Sequence, residues 1–243
     1  MALPKIKIPL FDVTIPSTKK DAKFRPFLVK EEKILLIAQS GGSKREMVNS
    51  LKQVINNCVT MLDGTDVDVD TLTTFDLEYI FLKIRSKSVE NIVKLKYLDH
   101  EDEKEYEFEV RLDDIAIKYT PDHSNKVKIN DDIGIVLRYP TASIINTFDK
   151  EEDEDLSETE ISIAMVKHCI DKIYDKEQVY LVSECAPGEL DEFIDSMNVK
   201  AFEGIQKFFE SMPTMYHKIE YTNSKGTARV IELTTLDDFF TLA

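Results

Sequence analysis

The chain has 243 residues, 42% of them hydrophobic and 32% charged, which supports one sizeable core, or one core with a small lobe, and argues against a wholly disordered chain. Its 46 Asp and Glu against 31 Lys and Arg leave a formal charge of −15, which repels phosphate backbones and anionic head groups and speaks against nucleic acid and membrane surfaces as partners. Three cysteines at unrelated spacings, Cys58, Cys169 and Cys185, fit reduced thiols in a cytoplasm, and neither a signal-peptide core nor a run of ~18 apolar residues is found.

At the N-terminal end Ile6, Ile8 and Leu10 share one parity and Phe11, Val13 and Ile15 the other, so the spacing predicts extended chain with a phase break at Pro9-Leu10. Pro4, Pro9 and Pro16 each remove a backbone donor, which suits an edge strand or a segment laid on a partner. A short helical stretch ends near Ala38, before Gly41-Gly42. Ser43, with Glu46 three residues on, forms a capping box for a second helix whose inward face is Met47, Leu51, Val54, Ile55, Cys58 and Leu62. A third helix is expected over 74–85, carrying Phe75, Tyr79 and Leu82.

The period then changes from helix to strand. Val93, Leu95 and Tyr97 alternate with lysines, and Tyr106, Phe108, Val110 and Leu112 alternate with Glu107, Glu109 and Arg111, which predicts a hairpin across the acidic loop 99–104. Further short strands are expected at 116–119, 126–130 and 133–139. The run KEEDED at 150–155 is the best linker candidate, and its plainer reading is a solvated loop. Ser157 and Glu160 make another capping box, opening a helix to about Tyr174 with Ile161, Met165, Cys169, Ile170 and Ile173 inward. Helices follow at 189–196 and, behind an Asn198 cap, at 199–212, the latter with Val199, Phe202, Ile205, Phe208, Phe209 and Met212 on one face. Strands at 215–222 and 228–234 flank the turn residues 223–226 before the closing LDDFFTLA. Tyr97 precedes Leu112-Asp113-Asp114 by the same interval that separates Tyr221 from Leu236-Asp237-Asp238, so the two hairpins have the look of a diverged repeat.

The predicted class is α+β. A β-rich N-terminal part with early helices and an extended arm spans 1–149, the acidic linker spans 150–155, and a helical C-terminal part closed by a β-hairpin spans 156–243.

Little in the sequence points to chemistry. Asp66, Asp68 and Asp70 alternate as in a calcium loop, but Thr71 stands where that loop needs glycine and Leu77 where it needs a bidentate Glu, so an acidic loop before a helix cap at Thr71 or Thr74 is the better reading. His168 and Cys169 are adjacent and so point about 100° apart on a helix, with Cys169 on the apolar face, which favours packing over nucleophilic catalysis. Walker, Gly-x-Ser-x-Gly and His-Glu-x-x-His patterns are all missing, and the terminal hairpin contains no cysteine for a zinc knuckle. No catalytic, cofactor-binding or metal-ligating residue is assigned, and no cofactor is expected.

Pro16-Ser17-Thr18, followed by Lys23-Phe24-Arg25-Pro26-Phe27-Leu28-Val29-Lys30-Glu31-Glu32-Lys33, resembles the N-terminal signature of the T-even phage baseplate protein family. Phe208-Phe209, Met212-Pro213, the last hairpin and Leu236-Asp237-Asp238-Phe239-Phe240 resemble the end of the same family, which includes a baseplate hub subunit and a hub assembly factor. The resemblance implies binding without catalysis to baseplate hub and tail proteins, in the host cytoplasm during assembly or in the virion tail baseplate. A chaperone for the tape-measure protein, absent from the mature virion, is one alternative, and a phage enzyme without a recognisable motif is another. Some relatives carry a cysteine-bearing knuckle near the terminal hairpin, where this chain has 223–226. Pro26 biases Arg25 towards extended geometry, so Phe24, Arg25, Pro26 and Phe27 form either a fold-specifying turn or a partner-contact surface. Leu236, Phe239 and Phe240 are the candidate contact residues at the other end.

Overall fold

The computed structural model describes residues 6–41, 44–144 and 157–239. Among these the chain forms six α-helices and twelve strands, a mixed α+β protein as predicted. It divides into two compact units, residues 1–118 with 214–243, and residues 119–213.

In the first unit β1 (Phe11–Thr14) pairs antiparallel with β2 (Asp21–Phe24). The turn between them hands Pro16-Ser17 on towards a helix described below. α1 (Val29–Gly41) and α2 (Lys44–Cys58) follow, and β3 (Val59–Met61) closes the sheet in the order β1-β2-β3. β1 thus lies at an edge, where its flanking prolines cost no ladder bond. On α2 the residues Leu51, Val54, Ile55 and Cys58 are buried while Gln53, Asn56 and Asn57 are exposed. Leu62, predicted for the same face, is exposed because the helix stops at Cys58 and the chain turns after β3. Ser43, the predicted cap, lies outside the described residues.

α3 (Thr74–Ser88) is capped by Thr73, which lies between the two expected positions Thr71 and Thr74, in a box with Asp76. The predicted hairpin is present as β4 (Ile92–Asp99) and β5 (Lys104–Arg111), with Leu95 opposite Phe108 and Tyr97 opposite Tyr106. A 3-10 turn at Leu112–Asp114 leads to β6 (Ala116–Lys118).

The second unit is built on a four-stranded sheet. β7 (Lys126–Lys128) and β8 (Gly134–Leu137) are joined, after α4 (Glu158–Cys169), by β9 (Ile170–Tyr174) and β10 (Val179–Leu181), in the order β10-β9-β8-β7. The Ser157–Glu160 box opens α4 as predicted, but the helix ends at Cys169 rather than near Tyr174. Ile170 and Ile173 satisfy a helical spacing equally well; what decides is the backbone of β8, which offers ladder partners to these β-branched residues. Tyr174 lies over Gly134, where a Cβ would stand 2.3 Å from its hydroxyl. Ile161, expected inward, is exposed, and β10 was not anticipated. α5 (Glu189–Asp195) and α6 (Val199–Glu210) complete the unit, with Asn198 accepting from the Ala201 N–H as its cap. Val127, Ile135, Leu137, Val166, Ile170, Ile205 and Phe208 form the core, on which Phe202 and Phe209 pack half-buried.

The chain then returns to the first unit with β11 (Thr214–Thr222) and β12 (Ala228–Leu233), giving the sheet order β12-β11-β6. Leu82 of α3, Leu95, Val110, Leu112, Ile115, Met215, Leu233 and Phe239 make a continuous core beneath both hairpins. This division differs from the one expected at an acidic linker. The terminal hairpin belongs with the N-terminal strands because β11 pairs with β6, and β7 and β8 belong with the later helices because β8 pairs with β9. The run 150–155 itself lies outside the described residues.

Candidate interaction surfaces

The N-terminal signature is an internal fastening of the first unit. Ser17 donates its backbone N–H (2.8 Å) and its hydroxyl (2.5 Å) to the Asp76 carboxylate, which also accepts from the Thr73 N–H, so the start of the chain is tied to the cap of α3. Phe24 is buried on β2 with its ring 5.5 Å from that of Phe11, and Phe27 is buried with its N–H held by the Ser88 hydroxyl at 2.8 Å. Arg25 spans the turn. Its guanidinium donates to the Pro26 carbonyl (3.0 Å), the Asn57 carbonyl (2.9 Å) and the fully buried Glu31 carboxylate (2.9 Å). Glu31 also accepts from the Leu28 N–H at 2.9 Å, so it caps the start of α1. Burial alone pushes the Glu31 carboxyl up, but bonds from Arg25, the Leu28 N–H and Lys30 outweigh it and hold the group at about 2. The geometry is that of a fold-specifying turn: Phe24 and Phe27 face the unit's own interior, Pro26 is half-buried and Arg25 is spent on internal acceptors.

The C-terminal candidates behave alike. Phe239 is fully buried in the core under the hairpins, Leu236 is packed against it, and Phe240 lies outside the described residues. Asp238 accepts from the N–H groups of Thr234 (2.7 Å) and Thr235 (2.8 Å), fixing the last turn. Burial raises the Glu78 carboxyl to about 7; a hydrogen bond with the Leu236 backbone opposes the shift, and Asp237 and Asp238 add repulsion.

A polar clasp that the sequence did not reveal joins the tips of the two hairpins. The buried Asp99 carboxylate accepts from the Tyr221 hydroxyl (2.7 Å), from Arg229 Nε and Nη2 (3.1 Å each) and from the Glu101 N–H (2.9 Å). Asp102 accepts from the Ser224 N–H and hydroxyl, and Asn223 donates to Glu101 at 2.6 Å. The Tyr221 ring packs on those of Tyr106 and Phe108. The residues 223–226, which stand where some relatives are expected to carry a knuckle, are thus occupied in holding the hairpins together. Tyr221 and Arg229, the side chains that meet Asp99, lie more than 120 positions away, so no local signal announces them.

Cys58, Cys169 and the His123–Ser211 pair sit in structural settings. Burial pushes the Cys58 thiol up to about 11 and the Cys169 thiol up to about 12, so both stay protonated at neutral pH. His123 Nδ1 lies 2.9 Å from the Ser211 hydroxyl, a spacing that resembles a nucleophile and its base. The Ser211 hydroxyl, however, donates to the Lys207 carbonyl at 2.6 Å, so the ring must donate to the serine oxygen, the reverse of what activation requires. Among the described residues no three His, Cys, Asp or Glu side chains are arranged to hold a metal ion, and no helix is long and apolar enough to cross a membrane.

Two stretches of apolar surface are exposed. α1 buries Glu31 and Ala38 on one side, yet Val29 (66%), Leu36 (57%) and Ile37 (71%) are exposed on the opposite side with Lys33 and Ser40 between them. The run Ile34-Leu35-Leu36-Ile37 carries the signal for this, since four consecutive apolar residues in a helix cannot all face one core. In the second unit Val179, Tyr180 and Leu181 of β10 are all exposed at the sheet edge. Elsewhere on that unit Lys126, Lys128, Lys200 and Lys207 surround a cavity of about 270 Å³ between β7 and α6.

A family model described as T4 bacteriophage base plate protein matches residues 8–241. No curated protein and no solved structure matches the chain.

Proposed function

The chain belongs to the T4 bacteriophage base plate protein family, and from that premise we propose that it works by binding, without catalysis, as a subunit or assembly factor of the baseplate hub. The observation that carries this reading is the apolar stripe Val29, Leu36 and Ile37 on α1. A helix that is already seated on its own unit, and still displays this much apolar surface, has the form of a docking face for another protein. The partners on this reading are hub and tail proteins of the phage. Partner contact therefore shifts from Phe24, Phe27 and Phe239, which are buried, to the outward side of the helix that the N-terminal turn fastens in place.

A second reading is favoured by charge. Residues 119–213 contain 21 Asp and Glu against 9 Lys and Arg, so most of the net −15 falls on the second unit. A strongly acidic unit suits transient handling of a long client such as a tape-measure protein, followed by departure from the mature particle.

The test is recovery of baseplate and tail proteins from infected cells with tagged wild type and with Leu36→Asp/Ile37→Asp, identified by mass spectrometry, together with analysis of purified particles. The proposal expects hub and tail proteins with the wild type and their loss with the variant at unchanged melting temperature. Recovery unaffected by the substitutions overturns the role given to α1. Copies in purified particles favour the subunit, and recovery of the tape-measure protein with no copy in particles favours the chaperone.

A further inference from the structure

The edge of the second unit's sheet and the segment ahead of β1 are complementary. β10 has a strand partner on one side only among the described residues, and all three of its side chains are exposed, Val179 at 60%. Natural edges are usually blunted by Lys, Pro or a bulge; Val179-Tyr180-Leu181 carries none of these and is three residues long. Val179 and Leu181 point to one face of the sheet. Tyr180 points to the other, where it lines a cavity of about 350 Å³ with Asp175, Glu189, Leu190 and Phe193. The Tyr180 hydroxyl donates to the Asp175 carboxylate at 2.9 Å, so the apolar edge has an acidic rim on that face.

Residues 6–10 run without regular structure and are all exposed, Ile6 at 88%. Their sequence alternates Ile6-Lys7-Ile8, and Pro4 and Pro9 bracket four residues that keep their backbone donors. That length matches a three-residue strand.

We propose that Ile6-Lys7-Ile8 of one copy adds to β10 of a second copy as a fifth strand of the four-stranded sheet. With Lys7 opposite Tyr180, Ile6 and Ile8 cover Val179 and Leu181 on one face in either strand direction. The Lys7 ammonium falls on the other face, beside Tyr180 and within reach of Asp175 and Glu189. Main-chain bonds supply affinity, and the alternation of apolar and basic side chains against an apolar edge with an acidic rim supplies register. The donor and acceptor surfaces differ, so the contact is heterologous, and repeating it generates a ring or a filament.

Sedimentation velocity over a range of protein concentrations tests this. Wild type should associate with increasing concentration, and less at raised salt. Ile6→Asp/Ile8→Asp and, separately, Val179→Asp/Leu181→Asp should each be monomeric, with circular dichroism and melting unchanged. Mixed together, the two variants should give a species of two copies and no larger, because one intact segment meets one intact edge. A fluorescent peptide of residues 4–10 should bind the first variant, and the second at least about tenfold more weakly. The proposal is overturned if the wild type is monomeric throughout, if either variant associates like the wild type, or if the mixture stays monomeric. Should an edge variant fail to fold, Lys7→Glu alone should weaken association, and its failure to do so overturns the register.

Discussion

Replacing Arg25 by Met keeps much of the aliphatic stem and removes the charge opposite Glu31. The guanidinium's bonds to the Pro26 and Asn57 carbonyls and to the buried carboxylate all disappear. Removing one partner of a buried ion pair costs about 3 to 5 kcal/mol, because the other charge is left uncompensated. Glu31 keeps the Leu28 N–H and a Lys30 ammonium at 3.3 Å, which places the expected loss near the lower end, about 3 kcal/mol. In a unit of this size that corresponds to a fall in melting temperature of roughly 6 to 12 °C. The deficit should depend on pH. The folded-state pKa of Glu31 is held near 2, below its ordinary 4.5, so its contribution is fully present above 4.5 and disappears as pH falls towards 2. Wild type and variant should therefore converge in acid, and Arg25→Met/Glu31→Gln should recover most of the neutral-pH loss while keeping an acceptor for Leu28. Urea denaturation followed by circular dichroism at neutral and acid pH measures this. A neutral-pH loss below about 1 kcal/mol, or a deficit that does not change with pH, refutes the reasoning.

Glu78 should behave in the opposite sense. Its carboxyl is raised from 4.5 to about 7, so the folded state holds the proton more tightly, and stability from this group falls as pH rises from 4.5 through 7. Glu78→Gln should remove that dependence and stabilise at neutral pH by up to about 3 kcal/mol; parallel pH profiles for wild type and variant would count against it. Phe208→Ala should cost about 3 to 5 kcal/mol because the ring is buried between His123, Tyr139 and Phe209, whereas Phe202→Ala, half-exposed, should cost clearly less; equal losses in thermal melts would contradict the packing. Asp99→Ala removes the shared acceptor of Tyr221, Arg229 and the Glu101 N–H, so amide exchange at Glu101 should quicken at least about tenfold, and an unchanged rate would mean the clasp does not hold the hairpin tips.

Legibility in the sequence follows the range of the interaction that decides each element. Ser157 and Glu160 satisfy one another across a single turn, and Asn198 caps within three residues, so both helix starts could be read directly. The alternation of Val93, Leu95 and Tyr97 is equally local and predicts the register seen in β4 and β5. Ile170 and Ile173 fit two periods at once, and only the presence of β8 as a ladder partner makes them a strand. Of the N-terminal signature the turn geometry is legible from Pro26, but whether Phe24 and Phe27 face a partner or the interior depends on β3 and α3, which come later in the chain. The exposed side of α1 left a trace in its apolar run; the Asp99 clasp left none.

The acidic unit is inserted between two paired strands of the first unit. Lys118 and Thr214 bound residues 119–213 on either side, and they are paired neighbours in the β6–β11 ladder. A segment whose flanking residues are hydrogen-bonded to each other occupies the place of a loop in the first unit, and such places accept whole folded units because the host backbone need not separate to receive them. The host's strands on the two sides then carry related patterns: each hairpin ends in a 3-10 turn, at Leu112–Asp114 and at Asp237–Phe239, and each turn sends a residue, Leu112 or Phe239, into the same core. A chain read in order meets the first hairpin, then an acidic run and helices, and the natural inference is a boundary at the acidic run. The core recognises no such boundary, because Met215 and Leu233 must lie against Leu95 and Val110 for either hairpin to have a buried face. It follows that the first unit cannot complete its core until the residues beyond 213 have been made, while residues 119–213 contain all the strands of their own sheet and can fold earlier.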